Sequence, residues 1–120
     1  MLVDSNLLIY SVQPPFSSLR DWLAHSAVYY SAVSRLEILG YHRLTPIAKQ
    51  AIEQVLQPIP LILPTALTFE IAITLRQQRK MSLGDALIAA TCLEHQLTLA
   101  THNVKDFEWI AELNLYDPLL

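Results

Sequence analysis

Four places in the sequence are candidates for metal-dependent chemistry, because each carries acids next to an expected strand or within an expected helix. The first is Asp4, which follows the apolar run 1–3, a pattern typical of a short buried strand. The second is Asp85, in the first turn of an apolar helix that should begin at Leu83 after the N-cap Ser82. Each acid also has a structural explanation, as an N-cap in the case of Asp4 and as part of a capping box in the case of Asp85.

The third place is Glu37, in a helix predicted over residues 32–44. Apolar residues recur there with helical spacing at Val33, Leu36, Gly40, Tyr41 and Leu44. Glu37 falls on the same stripe and is expected to face the core, where a carboxylate is costly unless it pairs with a cation or binds a metal ion. We favour a metal ligand, and an ion pair with Arg35 or Arg43 is the alternative.

The fourth place is the segment 101–107, Thr-His-Asn-Val-Lys-Asp-Phe, which follows a predicted strand over 97–101. Asn103 and Asp106 can supply oxygen ligands or orient a metal-bound water. The alternative is an ordinary turn that begins a short helix, since Asn and Asp favour turns in any protein. His102 is expected to be a solvent-exposed loop residue.

The elements that must position these residues alternate along the chain. Strands are predicted at 1–3, 27–30, 58–64, 97–101 and 114–116, and the main helices at 16–25, 32–44, 45–57, 65–78 and 83–95. This alternation predicts an α/β fold in which a mostly parallel sheet is covered by helices on both faces. Prolines flank the strand at 58–64, which indicates either an edge position or a strand with solvated ends instead of a long central strand. Sites in such sheets form at the carboxyl ends of the strands, so the four acidic places should converge.

Converging carboxylates repel one another unless hard cations such as Mg²⁺ or Mn²⁺ neutralise them. Zinc does not suit this sequence, which has one cysteine and four scattered histidines. Two ions about 4 Å apart activate water and stabilise the leaving oxygen of a phosphodiester. The acids therefore favour a Mg²⁺ or Mn²⁺ site that acts on phosphodiesters.

Length and composition limit the number of domains, the cellular location and the modes of nucleic-acid binding that the sequence allows. A chain of 120 residues, 52% of them hydrophobic, is expected to form a single domain over residues 1–120. No apolar run reaches the length of a membrane span and no signal peptide is apparent, so we expect a cytoplasmic protein. The net charge of −3 argues against passive binding of nucleic acid. Arg76, Arg79 and Lys80 can contact RNA phosphates, and the alternative is favourable charge at a helix end.

The same residues resemble the PIN domain, and most closely the toxin ribonucleases of VapBC-type toxin–antitoxin systems, called VapC. The resemblance lies in Val-Asp-Ser-Asn-Leu-Leu-Ile at 3–9, in Glu37, in Ser-Leu-Gly-Asp-Ala-Leu-Ile-Ala-Ala-Thr at 82–91, and in 101–107. It implies a PIN-like three-layer α/β/α sandwich and a Mg²⁺- or Mn²⁺-dependent endoribonuclease that hydrolyses RNA. It also implies an antitoxin that blocks the site, and a homodimer.

Carried over residue by residue, the resemblance gives a candidate site. Asp4, Glu37 and Asp85 match the three main acidic metal ligands of the family. Asn103 and Asp106 match further catalytic positions, and Ser5 and Thr101 match supporting ones. Asn103 stands where many members have a fourth acid, so operation with one metal ion stays open.

Other functions are less compatible with the sequence. A catalytically inactive PIN-like binding module is the main alternative, although all three principal acids are present. A phosphoacceptor receiver domain would need an aspartate in the strand at 58–64, which has none. A phosphatase of the haloacid-dehalogenase type would need an aspartate in place of Asn6. The sequence does not identify the RNA, the cleavage position or the antitoxin.

Overall fold

The computed structural model describes all 120 residues, and a parallel sheet of very short strands lies at its centre. The strands are β1 (Leu2–Val3), β2 (Tyr30–Ser31), β3 (Leu61–Ile62), β4 (Leu99–Ala100) and β5 (Leu115–Tyr116). β4 pairs in parallel with β1 and β5, and β2 pairs in parallel with β3. A single bridge between Leu2 and Tyr29 joins the two groups, which gives the order β3-β2-β1-β4-β5.

Six α-helices and two short 3₁₀ helices connect the strands. The α-helices are α1 (Ser5–Ser11), α2 (Ser17–His25), α3 (Ala32–Leu39), α4 (Pro46–Leu56), α5 (Ala66–Gln78) and α6 (Leu83–His95). The 3₁₀ helices are Pro14–Phe16 and Val104–Asp106. Several helices begin at the hydroxyl residues expected to cap them, among them Thr45, which precedes Pro46, and Ser82, whose hydroxyl accepts a hydrogen bond from the Asp85 amide.

The sheet separates two hydrophobic clusters, one on each face. Successive strand residues point to opposite faces, so Leu2 and Leu99 pack with α5 and α6 while Val3 and Ala100 pack with α1 to α4. Cys92 is buried in the first cluster and packs there among apolar side chains. Because helices cover both faces, the predicted three-layer α/β/α sandwich with a parallel sheet is confirmed.

α5 and α6 are clamped together where α5 begins and α6 ends. Thr65, the N-cap of α5, donates a hydrogen bond of 2.8 Å from its hydroxyl to Glu94 near the end of α6, and the Thr68 hydroxyl donates to the same carboxylate. These hydroxyls hold the pKa of Glu94 below its usual range. The two helices are therefore antiparallel, so the start of α6, which carries Asp85, lies at the end of the pair away from this clamp.

The predicted helix over 32–44 is too long, and its predicted buried stripe is wrong. α3 ends at Leu39, and a side chain at Gly40 would collide with the Leu36 carbonyl oxygen. Leu36 and Tyr41 are exposed, and the buried residues of α3 are Ser34 and Ile38. Glu37 is accordingly exposed, because it lies beside this buried face instead of on it.

The remaining predicted elements differ from the structure mainly in length. Each predicted strand contains or overlaps an observed one, although each observed strand is only two residues long. β3 pairs only with β2 and lies at the edge of the sheet, as its prolines indicated. None of the helices is both long and apolar enough to span a membrane. The cytoplasmic location stays a prediction.

Candidate active site

Asp4 lies at the carboxyl end of β1 and is only 3% exposed. Its backbone N–H donates to the Ala100 carbonyl oxygen at 2.9 Å, which ties it to the neighbouring strand β4. Its Oδ1 accepts from the Ser5 amide and its Oδ2 from the Thr101 hydroxyl, each at 2.8 Å. Each oxygen keeps a further lone pair, so the carboxylate is fixed in place and can still accept another ligand.

The electrostatics of Asp4 depend on its neighbours as well as on burial. The pKa of Asp4 is raised from 3.8 to about 6, mainly by burial. The hydrogen bonds from Thr101 and Ser5 lower this pKa, and the charges on Asp85 and Glu37 contribute to the rise. At neutral pH the carboxylate is ionised at a free-energy cost, which a nearby cation would remove.

Glu37 extends into the site from α3, and the hydroxyl groups of Ser5 and Ser34 connect it to the start of α1 by hydrogen bonds. Ser5 Oγ lies 3.0 Å from Glu37 Oε1 and 2.7 Å from Ser34 Oγ. A single hydroxyl proton serves one acceptor, so Ser5 donates to Glu37 and accepts from Ser34. Glu37 forms no ion pair with Arg35 or any other cation, which excludes the alternative raised by the sequence.

Gly84 makes room for Glu37 in the first turn of α6. A Cβ at Gly84 would lie 2.5 Å from Glu37 Oε2, well inside contact distance. The sequence interpretation missed both Gly84 and Ser34. Signals for them existed: Gly84 is one of two glycines in the chain and precedes Asp85, and Ser34 lies one helical turn before Glu37.

Asp85 enters the site from α6 and links it to the segment after β4. Partial burial raises the pKa of Asp85, the charge on Asp106 and then that on Glu37 raise it further, and the Ser82 hydroxyl lowers it. Asp4, Glu37, Asp85 and Asp106 therefore form one connected set of mutually repelling charges. This is the convergence expected from the sequence.

Asn103 and His102 follow Thr101 along this rim. The Asn103 amide donates to Thr101 Oγ1 at 3.0 Å, and the Asn103 side chain makes no hydrogen bond within the chain. Residues 104–106 form the short helix predicted by the alternative explanation of this segment. His102 is an exposed loop residue, as expected, and its Nδ1 also lies 2.8 Å from the Asp117 carboxylate.

The basic cluster predicted to meet RNA is partly engaged within the chain. Arg76 Nε donates to the Met81 carbonyl oxygen at 3.1 Å, and the Arg79 guanidinium lies 5.7 Å from the centre of the Trp109 ring. Lys80 forms no ion pair. A role of these three residues in RNA binding stays a prediction.

The donor chemistry of the site fits a hard divalent cation. Asp4, Glu37 and Asp85 offer carboxylate oxygens of the kind that Mg²⁺ and Mn²⁺ prefer, and their mutual repulsion would be relieved by positive charge. No three Asp, Glu, His or Cys side chains already form a group that could hold a metal ion. The carboxylates must therefore draw closer to one another than they stand here to enclose one.

Comparisons with known proteins identify the fold and its family. The sequence model of the PIN domain matches residues 1–113. A toxin–antitoxin complex from Klebsiella pneumoniae contains a chain 28% identical to this one, with a TM-score of 0.78 and coverage of 98% of this chain and 96% of that one. FitAcB from Neisseria gonorrhoeae is 24% identical, with a TM-score of 0.78 and coverage of 98% and 97%.

A third solved structure has the same fold at lower identity. It is VapBC2 from Rickettsia felis bound to a DNA fragment from its promoter, which is 18% identical with a TM-score of 0.80 and coverage of 96% of each chain. A search of curated protein sequences gave no match. Because the family model covers nearly the whole chain and the solved structures share its fold, the chain belongs to the PIN domain family.

Proposed function

We propose that this protein is a metal-dependent endoribonuclease that hydrolyses phosphodiester bonds in RNA. The observation that carries the proposal is the set of coupled carboxylates at the carboxyl edge of a parallel sheet, in a chain of the PIN family. Parallel α/β sheets form their sites at this edge. The buried Asp4, with its pKa raised to about 6, is a costly feature that a purely structural domain would not need.

Asp4, Glu37 and Asp85 are the residues that would hold Mg²⁺ or Mn²⁺. When bound, such an ion supplies positive charge that stabilises the phosphodiester as it reacts and lowers the pKa of water. Thr101 and the Ser5 amide hold the Asp4 carboxylate, and the Ser5 hydroxyl holds Glu37. These contacts fix two of the three acids on separate elements.

Asn103 and Asp106, in the segment after β4, are the residues proposed to act on the attacking water. Hydrolysis forms a bond from the water oxygen to phosphorus and breaks the ester P–O bond, while the water loses a proton and the leaving oxygen gains one. Asp106 is exposed and lies within the electrostatic reach of Asp85, so it can accept the proton from water. Asn103, whose side chain has no partner in the chain, can orient that water.

We further propose that the protein is the toxin of a VapBC-type pair and that an antitoxin blocks its site. The support is the likeness to chains from toxin–antitoxin complexes. An open groove of about 580 Å³ also begins at Glu37 and is lined by apolar side chains that include Ile9, Tyr41 and Ile47. An apolar segment lying there would cover Glu37.

The proposed homodimer has a different surface available. Leu67, Phe69 and Ile73 of α5 are each at least half exposed, and the groove that Phe69 and Ile73 line against α6 holds about 510 Å³. Exposed apolar clusters of this kind mark association surfaces. We assign this face to a second copy, because the residues that line it are distinct from those that line the groove at Glu37.

The test is cleavage of a mixed RNA pool by the wild type and by Asp85→Asn, with Mg²⁺, with Mn²⁺ and with EDTA. We expect cutting only by the wild type and only with a metal ion, and a loss of at least about 100-fold in Asp85→Asn. Asp21→Asn is the matched control, because Asp21 is an exposed aspartate on α2 outside the acidic site.

Retained cleavage by a pure Asp85→Asn sample would contradict the proposal. No cleavage by the wild type under any condition, together with no metal binding by calorimetry, would instead support the alternative of an inactive PIN-like binding module.

A further inference from the structure

His102 is held rigidly at the rim of the acidic site. Its side chain is 44% exposed, yet Nδ1 lies 2.8 Å from Asp117 Oδ2. The Tyr10 ring of α1 packs against the imidazole nearly edge-on, with ring centres 6.3 Å apart and planes at 74°. A loop histidine that served only solubility would not need two partners from distant parts of the chain.

Asp117 fixes which edge of the imidazole faces outward. The Asp117 side chain is only 5% exposed, and its Oδ1 accepts a hydrogen bond of 2.9 Å from the Leu119 amide. A buried carboxylate of this kind holds the proton of its histidine partner on the nearer nitrogen, as second-sphere carboxylates do in metal and catalytic sites. Nε2 is left without a partner in the chain. Asp117 lies beyond residue 113, where the match to the family model ends.

The position of His102 places it beside any RNA bound at the acids. The preceding residue, Thr101, donates its hydroxyl to Asp4, and adjacent Cα atoms are about 3.8 Å apart. The segment that carries His102 therefore borders the place where a phosphodiester would be held at Asp4. The site itself is acidic and the chain carries a net charge of −3, so neutral or cationic groups at its rim are needed to hold an RNA backbone.

We propose that His102 is a substrate-binding residue whose Nε2 hydrogen-bonds the ribose–phosphate backbone of a nucleotide next to the scissile bond. The inference rests on the proposed endoribonuclease function. A neutral ring with its proton on Nδ1 accepts a hydrogen bond at Nε2 from a ribose 2′-hydroxyl, and a charged ring donates one to a phosphate oxygen. Both partners belong to the backbone, so the contact positions RNA without reading its sequence.

The test measures binding without cleavage. Short fluorescein-labelled single-stranded RNA is titrated with Asp85→Asn protein, alone and combined with His102→Ala or His95→Ala. We expect His102→Ala to weaken binding about tenfold, the effect of losing one good hydrogen bond to a substrate. His95→Ala is expected to change the affinity less than about twofold.

His95 is a matched control. Its side chain is 40% exposed and also faces a carboxylate, that of Glu94 at 3.9 Å. It lies at the far end of α6, ten residues and about 15 Å from Asp85. A general effect of removing an imidazole would appear in both variants, whereas contact with RNA would appear only at His102.

Modified RNAs separate the two backbone partners from a structural effect. The RNA carries a single 2′-deoxy nucleotide or a single methylphosphonate, moved one position at a time. If His102 contacts one group, its modification weakens binding to the Asp85→Asn parent and costs nothing further in the His102→Ala protein. A 2′-deoxy effect identifies the hydroxyl and a methylphosphonate effect identifies the phosphate.

Two results would overturn the inference. The first is an RNA affinity that His102→Ala leaves unchanged. The second is that each RNA modification weakens binding by the same factor in the Asp85→Asn parent and in the His102→Ala protein. If His102→Ala does not fold, as judged by urea unfolding, His102→Asn is used instead, because its amide lies near the position of Nδ1 and can face Asp117 while Nε2 is removed. The same position-specific loss is expected. Cleavage by the wild type without any dependence of binding on His102 would contradict only this inference. Dependence on His102 without cleavage would contradict only the nuclease.

Discussion

At the scale of single residues, the buried carboxylate of Asp4 lowers the stability of the folded, metal-free protein at neutral pH. The side chain is almost fully buried, its pKa is raised to about 6, and it faces two further acids. In the metal-free protein the native state therefore binds a proton more tightly than the unfolded chain does. Its stability is lowered as the pH rises through about 6, and a bound cation would restore it.

Asp4→Asn should therefore stabilise the metal-free protein at neutral pH. A shift from 3.8 to about 6 corresponds to at most about 3 kcal/mol, and we expect a gain of about 1–3 kcal/mol in the free energy of unfolding. The gain should shrink as the pH falls through 6 and disappear below 3.8, because the wild-type carboxyl is then protonated in both states. Urea unfolding in EDTA over this range measures it.

The same variant should also lose the stabilisation that metal ions give the wild type. Added Mg²⁺ is expected to raise the stability of the wild type and to leave Asp4→Asn unchanged, since a principal ligand has been removed. An Asp4→Asn protein that is less stable than the wild type at neutral pH in EDTA would contradict this account of Asp4.

At the scale of secondary-structure elements, the site depends on the close approach of α6 to α3. Gly84 sits where Glu37 reaches across from α3, and the missing side chain is what allows the carboxylate to lie there. The atom that a Cβ would meet is the end of a flexible side chain. Adding a methyl group should therefore displace Glu37 without disrupting the packing of the two helices.

Gly84→Ala is expected to reduce metal-dependent RNA cleavage at least about tenfold while changing the free energy of unfolding by less than about 1 kcal/mol, since alanine also favours a helix. Cleavage rates and urea unfolding together measure the two effects.

Gly40→Ala is the matched control, because its Cβ would meet the fixed Leu36 carbonyl oxygen outside the acidic site. It should lose about 1–3 kcal/mol of stability and keep the cleavage rate of its folded fraction. Normal cleavage by Gly84→Ala would show that Glu37 does not need its observed position.

The order of the elements could be predicted from the sequence, but their contacts could not. The alternation of apolar runs and capped helices gave the α/β sandwich, the start of α6 at Leu83 and the edge position of β3. The stripe on α3 was misjudged, because helical spacing does not reveal which side of a short helix meets the core. Exposed Leu36 and buried Ser34 reverse the simple pattern there.

The acids of the candidate site could be proposed from the sequence. The residues that hold these acids in place could be proposed only in part. Asp4 was indicated by its place after a strand and Asp85 by its place in the first turn of an apolar helix, whereas Glu37 was chosen from a buried stripe that α3 does not have. Asp117 carried no such signal, since an aspartate at this position is ordinary until the fold brings His102 beside it. The spacing of Ser34 from Glu37 was a weak signal, which gains its meaning once Ser5 is seen to contact both.

At the scale of the whole molecule, the sheet joins two separate hydrophobic clusters. β1 and β4 each contribute one residue to the cluster under α5 and α6 and one to the cluster under α1 to α4. The proposal that residues 1–120 form a single domain follows from this sharing. Trp22 packs against one cluster and Trp109 against the other, so each core has its own fluorescent reporter.

We expect both reporters to give one unfolding transition. In Trp22→Phe the fluorescence of Trp109 follows the first core, and in Trp109→Phe that of Trp22 follows the second. Within each variant, the urea midpoint from fluorescence should coincide with that from far-ultraviolet circular dichroism, as in a two-state domain. Midpoints that differ between the two probes would show that the cores unfold independently.

The hydrogen bond from Thr101 to Asp4 joins residues 97 positions apart. During synthesis, a ribosome that has made the first hundred residues has placed Asp4 in the chain but not the hydroxyl that fixes it, nor Asn103 and Asp106. The complete site therefore exists only after residue 106 has been translated. Under the proposed function, a product that stalls before residue 101 lacks the complete site, and we expect it to be unable to cut the messenger that is still being translated.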